Sequence, residues 1–110
     1  MTVLALISAV KVIQLIKARE GQTGQLMSAI FNETERQCMV LLNRQLEGNT
    51  EKLKNPYSNN TLAFAAWVIA RLAGWSGYKS QRPAGPIDFL IGLQRFDERV
   101  QGFILAKGHT

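Results

Sequence analysis

The last third of the chain repeats apolar residues in alternating steps of four and three, which is the spacing of one face of an α-helix. The repeated positions are Phe89, Leu93, Phe96, Val100 and Phe103. Pro86 suits a first helical turn, and Asp88 lies near the positive end of the helix dipole. The sequence therefore predicts a long final helix from Pro86 to about Lys107, with one face that has to be buried.

A similar spacing predicts a first helix from about Thr2 to Glu20. Its expected inward positions are Val3, Leu6, Ile7, Val10, Ile13 and either Leu15 or Ile16. Its expected polar stripe is Ser8, Lys11, Gln14 and Lys17. A helix this apolar needs cover on most of its circumference, so we expect it either at the centre of a bundle or continuing something larger.

Two further helices are predicted in the middle of the chain. Asn32 and Glu35 have the spacing of a capping box, which starts a helix that runs to about Leu46 and ends near Gly48. The inward side of that helix is predicted to be Cys38, Leu41, Leu42 and Leu46. After a polar connection over 48–60, Asn60 or Thr61 caps an apolar, alanine-rich helix over 62–73.

No stretch alternates apolar and polar residues as a strand would, so the fold class is predicted to be all-α. The chain is long enough for one small domain spanning residues 1–110, and 46% of it is hydrophobic. We expect a small bundle of four to five helices. Only a helical turn or two is expected over 25–31.

Charge and cysteine content limit the possible partners and compartment. The net charge of +5 and the pI of about 9.8 favour an anionic partner such as nucleic acid. Cys38 is the only cysteine, which excludes an internal disulfide and fits a reducing cytoplasm. Lys11 lies within the apolar first helix and no basic region precedes it, so no membrane partner is expected.

The sequence offers almost nothing for catalysis. His109 is one residue from the end of the chain, and Cys38 lies among leucines with no partner histidine. Asp97 and Glu98 are adjacent on a helix between two arginines, which is typical of a solvated charged face. We therefore do not expect this chain alone to be an enzyme, to bind a metal or to hold a cofactor.

Two segments remain as candidates for binding. The loop from Trp75 to Arg82 joins aromatic, hydroxyl and basic side chains, which suits contact with phosphate, although a solvated loop held by its tryptophans explains the pattern as well. Its DNA-contact candidates are Tyr78, Lys79, Ser80 and Arg82. In the last helix, Gly102 and Ala106 lie four apart and allow close approach of another helix, from a second chain or from the same one. Gly92 and Gly102 are both unfavourable inside a helix, which suggests close contacts there.

These segments carry a family resemblance. The run from Leu62 to Lys107 resembles the C-terminal dimerisation domain of bacterial insertion-sequence transposases of the Tn-five-like (insertion-sequence-four) family. The matching residues are Ile69 to Trp75, Arg82 to Pro86, Gly92 and Leu93, and Gln101 to Lys107. The opening helix, Leu4 to Arg19, is similar to the helix that follows the catalytic core in that family.

The resemblance implies a function for the chain as part of a cut-and-paste DNA transposase of the bacterial cytoplasm. The Asp-Asp-Glu core, which holds divalent Mg or Mn, would precede residues 1–20, so this chain would pair protomers as a homodimer and bring transposon ends together. Transposon-end DNA would lie near the loop, although Gly77 and Tyr78 depart from the family pattern. The implied dimer interface is Arg99, Val100, Gly102, Phe103, Ala106 and Lys107. The alternative is a stand-alone basic helical protein that binds nucleic acid or acts as an inhibitor, derived from a truncated transposase gene.

Overall fold

The computed structural model describes residues 3–21, 24–47, 54–76 and 82–108. They form four α-helices, which are α1 (Val3–Ala18), α2 (Glu33–Leu46), α3 (Leu62–Leu72) and α4 (Pro86–Gly108). A short 3₁₀ turn, Met27–Ala29, precedes α2. The one extended pairing among these residues is an isolated antiparallel bridge between Leu26 and Thr61. The predicted all-α small bundle is confirmed.

Helix α3 is the centre of the bundle, because every residue from Leu62 to Ala70 is buried and the helix contacts α1, α2 and α4. Its small alanines let these neighbours approach closely. The Thr61 hydroxyl accepts a hydrogen bond from the Phe64 amide at 3.3 Å, so Thr61 and not Asn60 is the cap. Apolar residues on all sides of this segment therefore correspond to a helix surrounded by the rest of the domain.

Helix α2 begins where its sequence predicts. The Asn32 side-chain oxygen accepts a hydrogen bond from the Glu35 backbone amide at 2.8 Å. The Glu35 carboxylate accepts one from the Asn32 backbone amide at 2.9 Å. The predicted inward face needs one correction, because Leu41 is exposed. The buried positions are Cys38, Met39, Leu42 and Asn43. Gly48, the predicted end of this helix, lies outside the described residues.

Asn43 can occupy the inner face of α2 because its side-chain oxygen accepts a hydrogen bond. Its Oδ1 atom accepts from Asn55 Nδ2 at 2.9 Å, and the same nitrogen donates to the Phe64 carbonyl at 3.2 Å. The backbone amide of Asn55 in turn donates to Glu47 Oε2 at 2.8 Å. A buried amide with its partners in place costs little, so this network holds the connection after α2 against the start of α3.

The predicted inward face of α1 is wrong at Val10 and Ile13 and right at Leu15. The side chains of Val3, Leu6 and Ile7 lie outside the described part of the structure. Val12, Leu15 and Ala18 are buried, whereas Val10 and Ile13 are 49% and 51% exposed. Within the predicted polar stripe, Lys11 and Gln14 are half-buried, whereas Lys17 is exposed. Lys11 Nζ lies 5.3 Å from the centre of the Phe31 ring and 3.9 Å from the Glu35 carboxylate. Because Lys11 finds both an aromatic face and an acid at the edge of the bundle, its stem can be buried while its charge is satisfied.

Arginines tie the ends of the helices to one another. Arg71 donates to the Leu46 carbonyl at the end of α2, at 3.1 Å, and Arg95 donates to the Leu72 carbonyl at the end of α3, at 2.6 Å. Arg19 Nη1 donates to the Ala84 carbonyl at 2.6 Å, which holds the end of α1 beside the start of α4. Arg71 and Arg95 satisfy carbonyls that a helix end leaves without partners, whereas Arg19 satisfies a carbonyl of the loop just before α4. Across the described helices, none combines the length and hydropathy needed to span a membrane.

Candidate functional site

The start of α4 is fixed by a carboxylate that accepts two hydrogen bonds. Asp88 Oδ2 accepts from Arg82 Nη1 at 2.9 Å and from the Gly85 amide at 2.8 Å. The hydrogen bond from Arg82, followed by that from Gly85, lowers the pKa of Asp88. Trp75 Nε1 donates to the Arg82 carbonyl at 2.8 Å. The end of the basic loop is therefore attached both to the helix that follows it and to the tryptophan that precedes it.

We expect Asp88→Ala to lower the free energy of unfolding by about 1 kcal/mol, as the loss of a capping carboxylate does. Because the folded pKa of Asp88 is lowered, its contribution is present above the unfolded value of about 4 and disappears as the pH falls through the folded pKa. Urea denaturation at neutral and acidic pH measures the difference. Glu98→Ala, which removes an exposed carboxylate of the same helix, serves as the control. An Asp88→Ala effect that is as large in acid as at neutral pH would contradict this role.

Of the four DNA-contact candidates, the structure describes only Arg82. Its side chain is 67% exposed and is paired with Asp88. A guanidinium has five N–H donors, and one nitrogen engaged with Asp88 leaves others that face solvent. Tyr78, Lys79 and Ser80 lie outside the described residues, so they stay predictions from the sequence.

The heptad seam of α4 is buried within its own chain. Phe89, Phe96 and Val100 are buried against the core, and the Phe96 ring makes an edge-on contact with Phe31 at 5.6 Å between centroids. This placement bears directly on one interface candidate. The Val100 side chain is enclosed by the same chain and is absent from the surface that a second copy could reach.

The other interface candidates are more accessible. Phe103 is half-buried against the core, and Lys107 Nζ lies 5.3 Å from the centre of its ring. Lys107 Nζ also donates to Gln37 Oε1 at 3.2 Å, which places the last turns of α4 beside α2. Arg99 is exposed. Phe103 and Lys107 are therefore partly engaged inside the chain, while Arg99 faces solvent.

The last turns of α4 expose apolar and small residues, which we call the tail surface. Gly102, Leu105 and Ala106 share one side of the helix, and Ile104 lies about 160° round the helix from Gly102. Its members are Gly102, Ile104, Leu105 and Ala106. Ile104 is 46% exposed and Leu105 is 64% exposed. A Cβ atom built on Gly102 meets nothing within 4 Å. The sequence interpretation singled out Gly102 and Ala106 but missed Ile104 and Leu105, whose signal was apolar character outside the heptad seam.

The remaining reactive groups do not form a site within the described part of the chain. Cys38 is buried, and burial raises the pKa of its thiol while the nearby positive charge of Arg99 opposes that rise. A thiol with a raised pKa is a poor nucleophile at neutral pH. His109 lies outside the described residues, and no group of three His, Cys, Asp or Glu residues is placed to hold a metal ion among those that are described.

Comparisons of the chain with protein-family models, with curated proteins and with solved structures found no match. The functional argument therefore depends on the residues of the chain itself, and in particular on the tail surface and on the loop that precedes α4.

Proposed function

We propose that this chain is the C-terminal dimerisation domain of a bacterial DNA transposase, which pairs two protomers so that two transposon ends are held together. The tail surface is the observation that supports the proposal most. The seam of α4 is already buried in the chain, and the described residues leave Ile104 and Leu105 without full apolar cover. A second copy of the same surface would supply it.

The small residues on the same side of α4 as Leu105 suit such a pairing, whereas Ile104 would lie at the edge of the contact. Gly102 and Ala106 lie one turn apart on α4, and the space around Gly102 is open. Two helices that cross at small residues can bring their backbones close together, which increases the packed area per residue. Most homodimers use the same patch on both subunits, so one short helical segment is enough to form both halves of the contact.

The DNA part of the proposal depends on charge. The chain carries a net charge of +5, and Arg82 presents its guanidinium to solvent at the edge of the loop. Phosphate contacts of this kind position a protein on DNA without reading its sequence. In this proposal, the catalytic carboxylates and their Mg or Mn ions belong to a core outside this chain, and the domain couples two such cores in the bacterial cytoplasm.

Sedimentation equilibrium of the 110-residue chain, from micromolar to submillimolar concentration, tests the pairing. We expect reversible association from monomer to dimer, and a weak one, because the tail surface is smaller than the roughly 800 Å² that each partner buries in a standard interface. A chain that stays monomeric over the whole range would overturn the proposed dimerisation.

We expect Lys79→Ala and Arg82→Ala to weaken the binding of the chain to duplex DNA. Each lost phosphate contact should reduce the slope of log affinity against log salt by about 0.9. Arg99→Ala is the matched control, because Arg99 is exposed on α4, about 20 Å along the helix from Pro86, and its loss changes the net charge equally. Equal slopes for all three variants would show that only net charge matters, which would contradict a specific role for the loop.

A further inference from the structure

A groove opens between the 3₁₀ turn, the first turns of α2 and the turn that precedes α3. Its volume is about 300 Å³. Its lining includes Leu26, Ser28, Arg36, Val40, Asn59 and Asn60. This volume is at the lower end of the roughly 300 to 1,000 Å³ that is usual for small-molecule sites. The groove can therefore take a ligand about as large as one amino acid.

The walls of the groove are held in place by hydrogen bonds. The Met27 amide donates to the Asn60 carbonyl at 2.9 Å, and the Leu62 amide donates to the Gln25 carbonyl at 2.7 Å, which fixes two walls against each other. On the third side, Arg36 Nη1 donates to the Phe31 carbonyl at 2.7 Å. A site whose walls are already joined loses little conformational entropy when a ligand enters.

The chemistry of the groove combines one cation with apolar and neutral polar groups. Leu26 and Val40 supply apolar contact, while Ser28 and the two asparagines supply a hydroxyl and amides. Among the described residues of the lining, Arg36 is the only charged one. It lies at the start of α2, where Glu33 and Glu35 already offset the helix dipole, so the attraction for an anion comes from the guanidinium itself. Its Nη1 atom is held by Phe31, and a guanidinium has further N–H donors that match a carboxylate.

From these observations we propose that the groove binds a small aliphatic carboxylate. Arg36 binds the carboxylate, and Leu26 and Val40 contact a branched apolar group of the size of one side chain. The same chemistry is offered by a free aliphatic acid and by the carboxyl terminus of a polypeptide that ends in an apolar residue. None of the tail-surface residues is among the described residues that line the groove, and binding there does not require a second copy.

Isothermal titration with N-acetyl-leucine and N-acetyl-leucinamide tests the proposal. For the acid we expect a dissociation constant on the order of 1 mM, which is typical of a ligand with so few atoms. The amide should bind about tenfold more weakly or worse, because it loses the charge-assisted hydrogen bonds. Equal binding of acid and amide, no binding of the acid at tens of millimolar, or equally strong binding of inorganic phosphate would overturn the proposal.

A pentapeptide ending in leucine distinguishes the two sources. If the peptide binds at least as tightly as N-acetyl-leucine, and its C-terminally amidated form does not, the ligand is a polypeptide terminus. If the peptide is excluded while N-acetyl-leucine binds, the ligand is a free acid. Both results support a carboxylate site in the groove.

Variants connect the binding to the groove. Arg36→Gln should weaken the acid at least tenfold, whereas Arg44→Gln, which removes an exposed arginine two turns further along α2, should not change it. Ser28→Trp fills the groove from an exposed position and keeps Arg36, so it should abolish binding even if Arg36→Gln disturbs the contact with Phe31. Equal loss in the Arg36 and Arg44 variants, or undiminished binding by Ser28→Trp, would contradict the assignment.

Discussion

Replacing Gly92 with alanine is expected to lower the free energy of unfolding by about 2 to 3 kcal/mol, the upper part of the roughly 1 to 3 kcal/mol that overpacking a core costs. A Cβ atom on Gly92 would collide with the backbone carbonyl oxygen of Ile69 and lie 2.7 Å from Ile69 Cγ2. That carbonyl belongs to α3, the buried centre of the bundle, so it cannot rotate away as a side chain can. The contact between α3 and α4, the most extensive between helices in the described structure, would have to open.

Gly102→Ala provides the matched control on the same helix. Because a Cβ atom at Gly102 meets nothing within 4 Å, the substitution should stabilise the monomer by up to about 1 kcal/mol through helix propensity alone. Urea denaturation followed by circular dichroism, at a concentration low enough to keep the chain monomeric, compares the two variants. Similar effects of the two alanines would show that the close crossing at Gly92 does not determine stability.

The two glycines also show how much of the helix packing could be predicted from the sequence. Both are unfavourable inside a helix, and that cost predicts close contacts at both. The prediction is confirmed for Gly92, which lies against Ile69, but Gly102 has open space within its own chain. A glycine in a sequence indicates that room is needed without saying which chain occupies it. No described residue of the same chain makes a close contact at Gly102.

Patterns between residues close in the sequence predicted where helices begin. Patterns of apolar residues did not predict correctly the whole buried face of α1 or of α2. The capping box of Asn32 and Glu35 depends on residues three apart, so the sequence alone specifies it. The inward face of α1 depends on its neighbours. Apolar residues surround most of that helix, so periodicity could not choose between its faces, and the position of Phe31 and Glu35 drew Lys11 inward. The exposure of Leu41 also depends on a neighbour. Asn55 donates a hydrogen bond to Asn43, which allows Asn43 to lie on the inner face of α2.

The heptad seam of α4 illustrates the same limit for the candidate interface. A seam with this spacing can be buried against a second chain or against the same one. The structure buries Val100 inside the chain and leaves Ile104 and Leu105 exposed beyond it. The surface available for pairing is therefore shifted towards the end of the helix and away from the seam. Arg71 and Arg95 hold the ends of α2 and α3 by donating to carbonyl groups that are distant in the sequence. No spacing in the sequence could predict these partners.

Gly102→Asp and Ala106→Asp are each expected to abolish self-association while leaving the monomer folded. Both positions are exposed, so aspartate can be solvated in the monomer. In a dimer with two-fold symmetry, each substitution places two carboxylates at the helix crossing, one from each copy. An unpaired charge buried at an interface costs about 2 to 5 kcal/mol, which weakens association by at least tenfold for each carboxylate.

Gln94→Asp is the control, because it adds the same charge on an exposed position of α4 about two turns before the tail surface. Sedimentation equilibrium should give a monomer for both tail variants and wild-type association for Gln94→Asp, with unchanged circular dichroism in all three. If the tail variants still dimerise, any dimer of this chain uses another surface. If Gln94→Asp also dissociates, the effect comes from charge in general. Loss of association in the tail variants alone would assign the contact to the last turns of α4, because charge and helix are the same in the control and only the position differs.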